Sequence, residues 1–104
     1  MNLAPITGAE YVSIGSIVPC VTVTGETGGN RWSLWTYDTP ATFDWSRLPD
    51  DVPVLDHRTA PEYVSHTGPS FEAYSRGDWP EVVALARAGG VKMETVADYR
   101  QRVA

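Results

Sequence analysis

Five prolines, at positions 40, 49, 53, 61 and 69, cut the middle of the chain into pieces of three to eight residues. Proline fixes φ, lacks an amide hydrogen and disfavours helix in the residue before it. No amphipathic helix longer than two turns fits between residues 38 and 78. This stretch must be short strands and single turns, over 52–55, 60–65 and 71–74, pinned by Phe43, Trp45, Tyr63, Phe71 and Tyr74. With 104 residues the chain is one domain, 1–104. A chain of that size buries roughly 65% of its unfolded surface, which suffices for one small core.

Regular structure is therefore expected at the two ends. Residues 11–24 are rich in β-branched side chains, and Val21 and Val23 alternate with Thr22 and Thr24, a strand with one apolar face. Pro19 removes a ladder donor, so it belongs at an edge, a strand start or a bulge. Residues 25–30 are turn formers that tolerate positive φ. Residues 31–37 form a second strand, with Trp32 and Leu34 on one side and Ser33, Trp35 and Tyr37 on the other. Together these make a β-hairpin over about 17–37. At the other end, Asp78 followed by Pro80 and Glu81 is a helix start. Trp79, Val82, Val83 and Ala86 then form one stripe, and Gly89 and Gly90 end the helix. A second helix is expected over about 92–103, with Arg100 and Arg102 favoured near its C-terminus. The fold class that results is α+β: a small N-terminal antiparallel sheet, an irregular proline-rich middle, and a C-terminal pair of helices at about 79–88 and 92–103, packed on one sheet face.

Net charge is -5 and the pI about 4.8, which excludes a generally basic nucleic-acid coat. One cysteine, Cys20, excludes an internal disulfide and suits a reducing compartment. No Lys or Arg precedes Arg31, so a secretory n-region is missing, and the longest uncharged run, fifteen residues between Glu10 and Glu26, is too short to span a bilayer. A cytoplasmic protein without membrane association is expected. The bases are seven Arg against one Lys, a bias of GC-rich genomes such as those of actinobacteria and their phages. Charge is uneven: the last twenty-six residues carry four bases against three acids, and the remainder of the chain holds the acidity.

That tail carries one motif. Ala86, Gly90, Val91 and Val96, with Leu85 and Tyr99 in two further apolar positions, resemble a DNA-binding helix-turn-helix. The small residue lets two helices approach, the glycine supplies the turn, and the valines bury the contact. The resemblance implies a second helix in the major groove, with Lys92, Glu94, Thr95 and Asp98 at its exposed start and Lys92, Thr95, Arg100 and Arg102 as contacts to nucleic acid. The acidic whole opposes phosphate binding. The competing reading of the same residues is a helical hairpin packed on the sheet.

Other constellations are weaker. Cys20, Asp56, His57 and His66 invite a nucleophile–base reading, but Cys20 sits among Val and Thr as a small apolar residue would. Two histidines and scattered acids lack zinc-site spacing. Residues 25–29 lack the Lys and helix of a phosphate loop, and Asp50 and Asp51 between prolines make a solvated turn. Trp32, Trp35, Tyr37, Phe43 and Trp45 form the densest aromatic cluster, five in fourteen residues. Exposed, such a set is a platform for a partner. The expected function is a small acidic non-enzymatic module, such as a phage or bacterial accessory protein, that binds and modulates a protein partner through Trp35, Tyr37 and Trp45. No cofactor, metal or membrane is expected. The alternative is a small DNA-binding regulator using residues 82–103.

Overall fold

The computed structural model describes residues 4–15, 17–58, 71–90 and 93–103. They form an α+β fold with a five-stranded mixed sheet. The strands are β1 (Ala9–Ile14), β2 (Val21–Thr27), β3 (Asn30–Trp35), β4 (Pro53–Asp56) and β5 (Glu94–Thr95), in the order β3-β2-β1-β4-β5. The helices are α1 (Phe71–Arg76), α2 (Trp79–Ala88) and α3 (Val96–Val103). The expected segments over 60–65, together with Tyr63, His66, Val91 and Lys92, lie outside the described residues.

The hairpin forms where the turn chemistry places it. Gly28 and Gly29 both have positive φ, +61° and +82°, and join Thr27 to Asn30 in a tight two-residue turn. Gly25 is needed for a different reason: a Cβ there would strike the Gly8 carbonyl and the Trp32 ring. The sheet is larger than the hairpin. β1 pairs antiparallel with β2, with an irregularity between Ala9 and Tyr11, and parallel with β4. The parallel pairing requires a long return, and residues 36–52 supply it. This proline-rich connection contains a single 3-10 turn, Trp45–Arg47, and buries Phe43, Trp45, Leu48 and Val52.

Alternation along β1 separates two apolar clusters. Val12 and Ile14 pack with Val21, Val23, Val54, Phe43, Trp45, Val96 and Tyr99. Tyr11, pointing the other way, packs with Leu55, Ala73, Trp79 and Val82. The sheet is thus covered on one face by the proline-rich connection and α3, and on the other by α1 and α2.

Two expectations are corrected. The second C-terminal helix begins at Val96, because Glu94 and Thr95 pair with Val54 and Pro53 on the edge of β4. The two long helices do not share a face: β5 carries the chain along the sheet edge, leaving α2 on one side and α3 on the other. Residues 89–95 separate them, a span far longer than the three or four residues of a helix-turn-helix turn. No helix among the described residues is long and apolar enough to cross a membrane.

Candidate binding trough on the open sheet face

On the face that carries α2, α1 and α2 lie over Tyr11 and Leu55 of β1 and β4. Of the β2 and β3 side chains pointing the same way, Thr22, Ser33 and Trp35 remain open and Thr24 is buried. Cross-strand register sets Tyr11 beside Thr24, Ser13 beside Thr22, Thr24 beside Ser33 and Thr22 beside Trp35. The result is a trough of about 520 Å³. Its floor is a field of hydroxyls from Ser13, Thr22, Thr24 and Ser33, with Thr24 and Ser33 oxygens 3.3 Å apart. Trp35 and Tyr37 form one rim, and Tyr74, Trp79 and Tyr11 the other. Val18, Cys20 and His57 also line it. No charged side chain does so among the described residues.

The rim on the helical side is packed ring against ring. Tyr11 and Trp79 stack at 4.3 Å with ring planes 3° apart, and Tyr74 meets Trp79 edge-on at 5.3 Å. Three buried polar atoms of trough-lining residues lack hydrogen-bond partners: Tyr11 Oη, Trp79 Nε1 and His57 Nε2. The Ser13 hydroxyl lies near Tyr11 Oη without forming a hydrogen bond to it. Native structures pair nearly all such groups, so three at one site are unusual. Burial raises the Tyr11 phenol well above its ordinary range, and the nearby Tyr74 adds to this. Burial lowers His57 below 6.5, partly opposed by the Asp56 carboxylate. Both groups are therefore neutral at pH 7.

Tyr37 sits at φ +60°, the one described non-glycine residue in the left-handed region. That conformation is strained for a bulky side chain and persists only when the surroundings impose it. Val21 imposes it from both sides. Its carbonyl accepts from Thr36 N at 3.3 Å and Thr36 Oγ1 at 2.7 Å, while its amide donates to Asp38 O at 2.8 Å. Tyr37 remains 82% exposed and Trp35 68% exposed.

The other residues singled out from the sequence are elsewhere. Trp45 is 2% exposed in the opposite core, its indole donating to Pro40 O at 2.8 Å and its ring stacked on Tyr99 at 4.7 Å. It cannot join Trp35 and Tyr37 on one surface. Thr95 caps α3: Asp98 Oδ2 accepts from Thr95 N at 2.8 Å and Oγ1 at 3.1 Å, and Asp98 N donates back to Thr95 Oγ1 at 3.4 Å. Arg100 pairs with Asp50 at 2.7 Å. Arg102 pairs with Glu94 at 3.1 Å and lies 4.3 Å from the Tyr99 ring centre. These arginines are engaged by acids, and Lys92 lies outside the described residues.

Cys20 and His57 both line the trough, but His57 Nε2 makes no hydrogen bond to it. Asp56 points to the opposite face, where it accepts from Arg58 Nη2 at 2.7 Å and from Tyr99 Oη at 3.2 Å. Adjacency on a strand sends Asp56 and His57 to opposite sides, so the two do not form an acid–base relay. Among the described residues no three His, Cys, Asp or Glu side chains gather as a metal site would require. Sequence reasoning missed the hydroxyl floor. Thr22 and Thr24 read as an ordinary solvent face, and only the aromatic rims make it a recess.

The chain matches no protein-family model, no curated protein and no solved structure.

Proposed function

We propose that the chain is a non-enzymatic interaction module that grips a protein partner in the trough, with Trp35 and Tyr37 as anchors. The observation that carries this reading is the pairing of an open aromatic rim with a floor of hydroxyls in one uncharged recess. Exposed Trp and Tyr concentrate binding energy when a partner desolvates them. The hydroxyls of Ser13, Thr22 and Ser33 on the floor favour an occupant that brings hydrogen-bonding groups with it. A neutral lining favours an uncharged, partly apolar segment over a phosphate or a strongly basic peptide.

The test is affinity capture from lysate of the source cells, read by mass spectrometry, with wild type and the Trp35→Ala/Tyr37→Ala double variant. A partner held by the wild type and lost by the variant is expected, with both proteins giving the same circular dichroism and melting temperature. Equal capture by the two would remove the trough as the binding site.

A further inference from the structure

β3 is the outer strand of the sheet, and among the described residues nothing pairs with its free edge. The two-residue turn determines which of its backbone groups face outward. Thr27 and Asn30 flank the turn as a hydrogen-bonded pair, so Trp32 and Leu34 also bond to β2, consistent with the Thr36 N to Val21 O bond two residues further on. Arg31, Ser33 and Trp35 therefore turn their N–H and C=O groups to the open edge.

Edge strands are ordinarily guarded by proline, lysine, a bulge or an inward charge. β3 has no proline and no lysine, and its pairing with β2 is regular throughout. Its one charged residue, Arg31, is drawn back over the sheet toward Glu10 at 3.7 Å and Glu26 at 3.8 Å, away from the edge. Leu34 and Trp35 are 38% and 68% exposed beside it.

We propose that the occupant of this edge is β3 of a second copy, paired antiparallel about a two-fold axis at Ser33. In that register Ser33 faces Ser33 of the other copy, and Arg31 faces Trp35. The outward-facing residues of one strand thus meet those of the other, and all their amides and carbonyls are satisfied. Trp32 falls opposite Leu34 on the face that carries α3, as a close non-hydrogen-bonded pair. A carboxylate in β3 would set acids against each other in this otherwise acidic chain, and β3 has none. The product is a continuous ten-stranded sheet with a trough in each half, whatever the trough binds.

Sedimentation equilibrium and residue-resolved amide exchange test this, from about 10 µM to about 1 mM chain, a range over which mass action shifts a weak dimer. The expected mass rises toward twice the 11.4 kDa of one chain. Amides of Arg31, Ser33 and Trp35 should slow by tenfold or more with concentration, while those of Trp32 and Leu34 are protected throughout. Ser33→Pro removes one outward amide and no backbone bond to β2, giving up only the Ser33–Thr24 hydroxyl contact, and should hold the protein at single-chain mass. Leu34→Lys keeps every amide, guards the edge with charge, and should do the same, so it decides the matter if the proline variant does not fold. A wild type that stays at 11.4 kDa across the range overturns the proposal, as does a dimer that survives Leu34→Lys with exchange at Arg31, Ser33 and Trp35 unchanged.

Discussion

Trp35 and Trp45 share a sequence neighbourhood and have opposite fates. Trp45 is enclosed by Phe43 and Tyr99, so Trp45→Ala should destabilise the fold by about 3–5 kcal/mol in urea titration, the usual range for a buried aromatic. Trp35→Ala, at a surface position, should change stability by no more than about 0.5 kcal/mol. Tyr11 is a different case. Its buried hydroxyl makes no hydrogen bond, so Tyr11→Phe removes an unmet desolvation cost and should stabilise the protein by about 1 kcal/mol. His57 makes stability depend on pH. Its folded pKa lies below 6.5, so the unfolded chain binds the proton more readily. The His57 contribution is complete above that value and falls away as pH drops below it. The melting temperature should decline between pH 7 and pH 5, and His57→Phe should flatten that decline. At lower pH, Asp44, held down by the Ser46 hydroxyl, and Asp56, held down by Arg58 against its own desolvation, lose their contribution as they protonate.

Among the elements, the hairpin turn and α2 were legible because their signals are local. Paired glycines make the tight turn, and Asp78 with Pro80 starts the helix, the Asp78 carboxylate accepting from Glu81 N. The start of α3 was not legible. The apolar spacing over 92–103 suits a longer helix, and only the edge of β4, forty residues away in sequence, draws Glu94 and Thr95 into a strand. One local signal pointed to the true boundary: Thr95 and Asp98 have the spacing of a reciprocal cap. Thr95→Ala should cost about 1 kcal/mol by thermal or urea unfolding, since it removes the Oγ1 acceptor of that cap. Aspartate in place of Thr95 keeps a capping oxygen and should recover part of the loss.

The arrangement of the whole molecule bears on the nucleic-acid alternative. α2 and α3 lie on opposite faces of the sheet, so neither braces the other against a groove. Arg100 and Arg102 are held by Asp50 and Glu94, and the chain carries a net charge of -5. Phosphate contacts release counterions and strengthen as salt falls. A gel-shift titration with a mixed-sequence DNA duplex should therefore show no retardation even at about 50 mM salt, a condition at which a phosphate-binding surface is favoured. Retardation that grows as salt is lowered and is lost in Arg100→Ala/Arg102→Ala would reverse this expectation.

Local sequence determined the α+β class, the hairpin, the first long helix and, among the described residues, the absence of any long helix between 38 and 78. These follow from proline, glycine, caps and periodicity, whose effects reach only a few residues along the chain. The tertiary structure decided which apolar groups share a face. It put Trp45 in one core and Trp35 on the other side of the sheet, sent α2 and α3 to opposite faces, and set a row of hydroxyls between two aromatic rims. Such outcomes depend on strand order, on the parallel pairing of β1 with β4, and on the two-residue alternation that turns neighbours such as Asp56 and His57 away from each other. Side-chain alternation can be read from a strand, but which face meets which partner depends on contacts between residues far apart in the chain.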